Sequence, residues 1–243
     1  MNCFFEKIYD IIKRVIIMSK IEIEPIAYIK TDFKEKFGIP RQSGLVSELS
    51  ARIVFEPKYR NPDALQGIEG FSHLWLIFDF SKAHREDWSP TVRPPRLGGN
   101  ERIGVFASRS PFRPNNLGLS SVILERVMET DDEGSVLVVR GADILDGTPI
   151  YDVKPYLPYA DCHADATGGY ADAVERKKLQ VVFPEELLLK IPAEKRAALI
   201  GCIAEDPRPS YQEDSERIYS MRFGGNDIHF KVESSVATVL GVD

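Results

Sequence analysis

The amino-acid sequence predicts a mainly β protein: an antiparallel barrel or sandwich followed by a smaller α+β domain. Three observations predict it. Alternating apolar stretches recur at short intervals through residue 160 with few helical patterns between them, as a closed or stacked antiparallel sheet requires. No Gly-x-Gly-x-x-Gly run stands between a strand and a helix, which disfavours a Rossmann cofactor domain. After Ala164 the texture changes to a small-residue link, ATGGYADA, and then to mixed helical and strand-like runs.

Taken in order, Ile21 to Ile29 alternates in its first half and reads as a strand broken or bent at Pro25. Thr31 to Gly44 closes on GIPRQSG, a turn offering backbone amides and two planar side chains, or else an ordinary connector. Leu49 to Phe55 is again strand-like. The stretch IEGFSHLWLIFDF, Ile68 to Phe80, is the most hydrophobic strand. Its alternation places Leu74, Leu76, Phe78 and Phe80 on a core face, with Phe71, His73, Trp75, Ile77 and Asp79 opposite. That second face either lines a pocket or forms another buried layer around a satisfied histidine.

From Arg102 to Leu119, RIGVFASRSPFRPNNLGL starts as a strand and becomes a stiff loop. Pro111 and Pro114 remove backbone donors and fix φ, and they bias Ser110 and Arg113 toward extended backbone. The loop carries Arg109, Arg113, Asn115 and Asn116. Bidentate donors on a rigid loop suit binding, the competing reading being a corner whose arginines pair with local carboxylates. Further strands are predicted at Ser120 to Glu129 and Ser135 to Ala142. A second stiffened turn, DILDGTPIYDVKPY, runs from Asp143 to Tyr156 with Gly147 and Pro149 in the turn and Asp146, Asp152 and Lys154 as charges. Together these two loops hold the inventory of a polar small-molecule site. Beyond the link come LQVVF, helical runs at Glu185 to Lys190 and Ala193 to Ala204, and strands at Arg217 to Phe223, Ile228 to Val232 and Ser235 to Leu240. EDPRPSY, Glu205 to Tyr211, offers an arginine and an aromatic suited to a phosphate and a stacked base, or to a salt-bridged corner.

Composition bounds the function. An apolar fraction of 43% and a charged fraction of 28% are those of an ordinary soluble globular protein. The net charge of −6 argues against indiscriminate coating of nucleic acid, yet six arginines against three acids between Arg85 and Arg113 make that segment +3. Three scattered cysteines and four histidines without ligand spacing predict no disulfide framework, no metal site and a reducing cytoplasm. Residues 1–20 form an extension with neither a signal-peptide core nor a membrane span; its first seventeen residues are expected to be dispensable, with Met18 as a natural start.

IPRQSG at 39–44, FSHLWLIF at 71–78, IGVFASRSPFRPNNLGLSSV at 103–122, ILDGTPIYDVKPY at 144–156 and DPRPSY at 206–211 occur in an order that resembles the TrmO (TsaA-like) family of tRNA methyltransferases. The resemblance covers residues 20 to 243. It implies a β-barrel at 21–161 that binds S-adenosylmethionine without a Rossmann fold, an α+β domain at 170–243 for tRNA recognition, and a homodimer. It also implies N6-methylation of threonylcarbamoyl-adenosine beside the anticodon of threonine tRNA. Its cofactor contacts fall on Pro40, Arg41, Gln42, His73, Leu74, Arg109, Leu119, Asp146, Gly147, Thr148 and Pro149. An arginine matches the methionine carboxylate, amides of the Gly-Thr-Pro turn suit the adenine edge, and Asp146 suits ribose hydroxyls or the ammonium. Asn116 stands where the family pattern has proline, which predicts a less rigid loop.

A carbamoylated adenine N6 is urea-like and needs to lose its proton at or before attack, so a general base is required. Asp152 and Lys154, with Tyr156 as a polar partner, are the candidates; the competing reading is a strand-end ion pair. Arg113, Asn115, Arg208 and Tyr211 are the candidates for holding tRNA. Two other classes remain: a module that senses S-adenosylmethionine or a nucleotide without catalysis, and a phosphoester hydrolase, which would normally want a metal.

Overall fold

A computed structural model describes residues 21–94, 97, 101–173, 177–209 and 214–243. The extension at 1–20 and Tyr211 lie outside the described residues.

The first unit is built from β1 (Ala27–Lys30), β2 (Ser50–Phe55), β3 (His73–Asp79), β6 (Leu117–Thr130), β7 (Gly134–Arg140) and β8 (Pro149–Pro155), all paired antiparallel in the order β1-β2-β7-β6-β3-β8. β8 returns to β1 and closes the ring through two residue pairs, Ala27 with Ile150 and Tyr28 with Pro149. Period-two alternation turns Ile29, Ile53, Leu74, Leu76, Leu137, Val139 and Ile150 into the core, where each is fully buried. A small ribbon, β4 (Thr91–Val92) with β5 (Ile103–Gly104), stands off the excursion between β3 and β6.

The second unit is a four-stranded sheet in the order β10 (Tyr219–Phe223), β11 (Asn226–Glu233), β12 (Val236–Val242), β9 (Gln180–Val182), with β9 parallel to β12. The helix Ala193–Ala204 seats Ala198, Leu199, Cys202 and Ile203 on it. That core is not made of its own residues alone. Phe33, Val46 and Leu49, with Phe37 and Ile39 at its edge, come from the β1–β2 connection. Phe33 meets Phe223 edge-on at 5.4 Å, and Phe37 stacks on Tyr219 at 6.3 Å. Lys195 pairs with Asp32 at 2.6 Å, and the Gly224 amide donates to the Asp32 carbonyl. Gly38, at φ +96°, lies so close to the Met221 side chain that a Cβ there would sit 2.2 Å from its sulfur.

Several sequence expectations need correction. The strand expected from Ile21 forms only at Ala27–Lys30, since Pro25 denies a ladder donor just before it. The strand expected from Ile103 stops at Gly104, and Val105–Ala107 is a single 3-10 turn. Pro149–Pro155, read from sequence as a turn, is a barrel strand. Its two prolines stand at the ends, where missing amide donors interrupt the ladder least.

Candidate functional site

Strand polarity gathers the motifs. In a ring of antiparallel strands the end of β1, the start of β2, the end of β3, the start of β6, the end of β7 and the start of β8 share one mouth. The β1–β2 connection, the excursion before β6 and the β7–β8 connection therefore converge there. Arg109 Nη1 donates to Gln42 Oε1 at 2.6 Å, joining the first to the second. The Gly44 amide donates to the Gly141 carbonyl at 2.9 Å, joining the first to the third.

The central loop holds itself. Arg113 Nη1 donates to the carbonyls of Ser108 and Ser110, the Ser108 hydroxyl donates to the Val105 carbonyl, and Asn116 Nδ2 donates to the Pro111 carbonyl at 2.7 Å. Asn116, where the family pattern has proline, thus braces the loop through the Pro111 carbonyl. Arg113, expected to hold tRNA, has its guanidinium turned inward. Asn115 is exposed, and so is Arg109.

The Asp146–Pro149 turn is placed differently from expectation. The amides of Asp146, Gly147 and Thr148 donate to the carbonyls of Phe33, Ile29 and Leu145, so none points at an adenine edge. Asp146 accepts from the Thr31 amide at 2.9 Å and pairs with Lys34. It ties β1's exit to the mouth. Gly147 is required by its φ of +72°, and Thr148 is buried. A cleft opens beside this turn, between Lys36, the Asp79–Ala83 turn, Pro111, Leu145 and Thr148.

Sequence reading missed Asp143. Its carboxyl accepts from the Ser120 hydroxyl at 2.6 Å inside the mouth. Burial pushes it above the ordinary carboxylate value, opposed by the Ser120 bond, backbone hydrogen bonds and the Arg109 charge. No sequence signal separated it from Asp146 three residues on.

Below the mouth, the outward face of β6, β3 and β8 carries the remaining candidates in registered rows. Leu119, Ile77 and Asp152 form one row, and Ser121, Trp75 and Lys154 the next. His73 pairs with Ile123, and its carbonyl accepts from the Tyr156 amide at 3.0 Å. Leu119 is 55% exposed and stands free for a contact. Leu74 does not: its side chain is wholly inside the barrel. Asp152 and Lys154 pair at 2.9 Å. Burial, reinforced by Cys162 and Asp161 nearby, holds the Tyr156 phenol protonated above its usual range. Asp161 is held low by the Leu157 amide and the Trp75 indole, whose Nε1 donates to it at 3.0 Å.

In the second unit Arg208 makes a two-pronged pair with Asp206 at 2.7 and 2.8 Å, and its carbonyl accepts from Arg41 Nη2. Its side chain is only 14% exposed, so Arg208 braces the joint with the first loop and does not reach for phosphate. Pro40 shares that loop and is buried.

The model of the tRNA-methyltransferase O N-terminal domain matches residues 28–162, and that of the TrmO C-terminal domain matches residues 176–243. The chain belongs to the TrmO family. A tRNA (adenine(37)-N6)-methyltransferase of Escherichia coli K12 is 39% identical over 235 residues, covering 93% of this chain and 99% of that protein. One from Eikenella corrodens is 45% identical over 71% of this chain and 97% of its own length. A crystal structure of TrmO from Pseudomonas aeruginosa superposes with a TM-score of 0.75 at 33% identity, covering 93% of this chain and 99% of that one. Among the described residues no helix is long and apolar enough to cross a membrane, and no group of three metal-ligating side chains comes together.

The donor set at the mouth of this TrmO-family barrel fits S-adenosylmethionine. Arg109, oriented by the Gln42 Oε1 that accepts from its Nη1, offers a planar guanidinium to a carboxylate. Asp79 and the half-buried Asp143 supply acceptors, and Phe80, Pro111 and Leu145 supply apolar wall.

Proposed function

We propose that this chain transfers a methyl group from S-adenosylmethionine to N6 of adenine 37 in tRNA, that this adenine carries the threonylcarbamoyl group, and that the substrate is threonine tRNA in the cytoplasm. The observation that carries the reading is the Arg109–Gln42 bond at the mouth, where one loop orients the guanidinium of another. Bound there, S-adenosylmethionine supplies a methyl group already activated by its sulfonium. The protein's work is to align and to exclude water.

Arg109 and Gln42 hold the carboxylate. Leu119 and His73, on the outward wall, flank the reacting end. Asp152 takes the N6 proton, and Lys154, paired with it at 2.9 Å, orients it. Tyr156 stays protonated, so it donates a hydrogen bond and does not act as the base. A second copy of the chain covers the outward wall, where Leu117 and Leu119 are exposed, and completes a dry site. The unit at 170–243, with Tyr211, and Asn115 at the mouth take the tRNA body.

The test is mass spectrometry of tRNA nucleosides after incubation with labelled S-adenosylmethionine, for wild type and Asp152→Asn. Wild type is expected to label threonylcarbamoyl-adenosine. The variant is expected to bind cofactor normally and turn over about 10²-fold more slowly. An unlabelled nucleoside pool with wild type refutes the reaction, and full turnover by the variant moves the base to another group.

A further inference from the structure

Between β3 and β6 the ribbon of β4 and β5 pairs Thr91 with Gly104 and Val92 with Ile103, and this brings Trp88 beside Phe106. Their ring centroids are 6.0 Å apart with planes inclined by 31°. Both rings face solvent, Trp88 52% and Phe106 72% exposed. Neither anchors the excursion. That is done by Val105, which is buried and whose amide donates to the Pro90 carbonyl at 2.9 Å. Two large apolar aromatics set side by side in water forgo the burial that every other described phenylalanine and Trp75 has at least in part, which marks them as a contact surface.

The surroundings say what kind of contact. Arg85 lies over the Phe112 ring at 3.7 Å, which fixes its guanidinium on the loop that leads to Trp88. Arg102 donates to the Thr91 hydroxyl, and Arg93 is exposed on the same ribbon. This is the +3 stretch of a chain whose net charge is −6. Glu86 and Asp87, exposed beside Trp88, keep it from being a uniform track for a polyanion. A pair of open rings flanked by separate cations suits one unpaired nucleotide: its base stacks one π face on the rings, and its phosphates suit the arginines. A duplex keeps those faces inside its stack.

We propose that Trp88 and Phe106 form a stacking platform for an unpaired nucleotide of the tRNA anticodon loop adjacent to the base that is methylated, with Arg85, Arg93 and Arg102 on the flanking phosphates. It rests on tRNA being the substrate. Phe112 ties the platform to the loop that carries Arg109, so a base held there lies next to the cofactor mouth. An adenine that must leave its loop stack to react vacates a stacking partner, and the platform gives the neighbouring base a replacement.

The experiment is steady-state methylation of total tRNA isolated from cells lacking this chain's gene, with wild type, Trp88→Ala, Phe106→Ala and Trp88→Phe. Each alanine variant is expected to raise KM for tRNA about tenfold, leaving kcat, calorimetric cofactor affinity and the salt slope of tRNA binding unchanged. Trp88→Phe restores most of the loss. Wild-type KM in both alanine variants overturns the platform. So does a raised KM that reverts at high enzyme concentration while sedimentation shows a lighter species, because the rings then join two copies. If wild type methylates nothing, the proposed activity fails, and the platform is judged by filter binding of the same tRNA, where equal affinity of wild type and alanine variants overturns it.

Discussion

Two loops meet at the barrel mouth through the bond from Arg109 to Gln42, and they are held in opposite ways. The central loop is rigid by its own chemistry: two prolines, Arg113 on two carbonyls and Asn116 on a third. The β1–β2 loop contains no regular element from residue 31 to 49 and borrows its rigidity from a core at the other end of the chain. The placement of the β1–β2 loop, and with it Gln42, therefore depends on packing in the second unit.

The strongest way to break this comparison is to remove the lender. A chain ending at Ala160 uncovers Phe33, Phe37, Ile39, Val46 and Leu49, and is expected to lose measurable cofactor binding and to aggregate, as gel filtration and calorimetry would show. A soluble truncated barrel with wild-type affinity would mean the first loop is rigid by itself. Phe33→Ala makes the same point in the full chain. It is expected to cost about 3–5 kcal/mol in urea unfolding, a second-core loss caused by a first-unit residue. Arg109→Ala cuts the bond between the loops and is expected to weaken cofactor binding by about 1.5–3 kcal/mol with little change in stability. Asn116→Ala removes one brace from the self-held loop and is expected to cost about 1 kcal/mol in unfolding. An effect as large as that of Phe33→Ala would show that the central loop, too, depends on a single support.

The mouth's buried carboxyl gives the smallest effect, and a sign. Asp143 has its folded pKa raised above the ordinary 3.8 by burial, so between that value and the raised one the folded state holds a proton that the unfolded state releases. Stability from this group is therefore present at low pH and is lost as pH rises through the folded value. Asp143→Asn is expected to melt higher than wild type at neutral pH, with the margin closing as pH falls toward 3.8. It should bind cofactor less tightly, because the mouth loses an anionic acceptor for the cofactor's ammonium. A margin that grows on acidification contradicts the burial argument.

What the sequence made legible follows the same division. The central loop announced itself because prolines, arginines and asparagines act on neighbours within a few residues. The β3 alternation placed Leu74, Leu76 and Phe78 inside and His73, Trp75 and Ile77 outside, as found. The β1–β2 loop was open to reading as a plain connector because its partners, Phe223 and Phe230, lie near the chain's end. β8 hid behind its terminal prolines. Asp143 and the inward turn of Arg208 depend on Ser120 and Asp206 geometry that spacing does not encode.

The closure of the ring carries a consequence for how the chain is made. β1 is synthesised before the strands it pairs with: it needs Pro149 and Ile150 to close the barrel, and the loop that follows it needs Phe223 and Phe230 to cover its aromatics. At about 5–20 residues per second, the nascent chain carries Phe33 and Phe37 uncovered for several seconds to some tens of seconds. Such long-range pairing is slow to form even after release. The β1–β2 side of the barrel mouth sets only after the second unit's strands are made, and chaperone demand should follow the time taken to synthesise them.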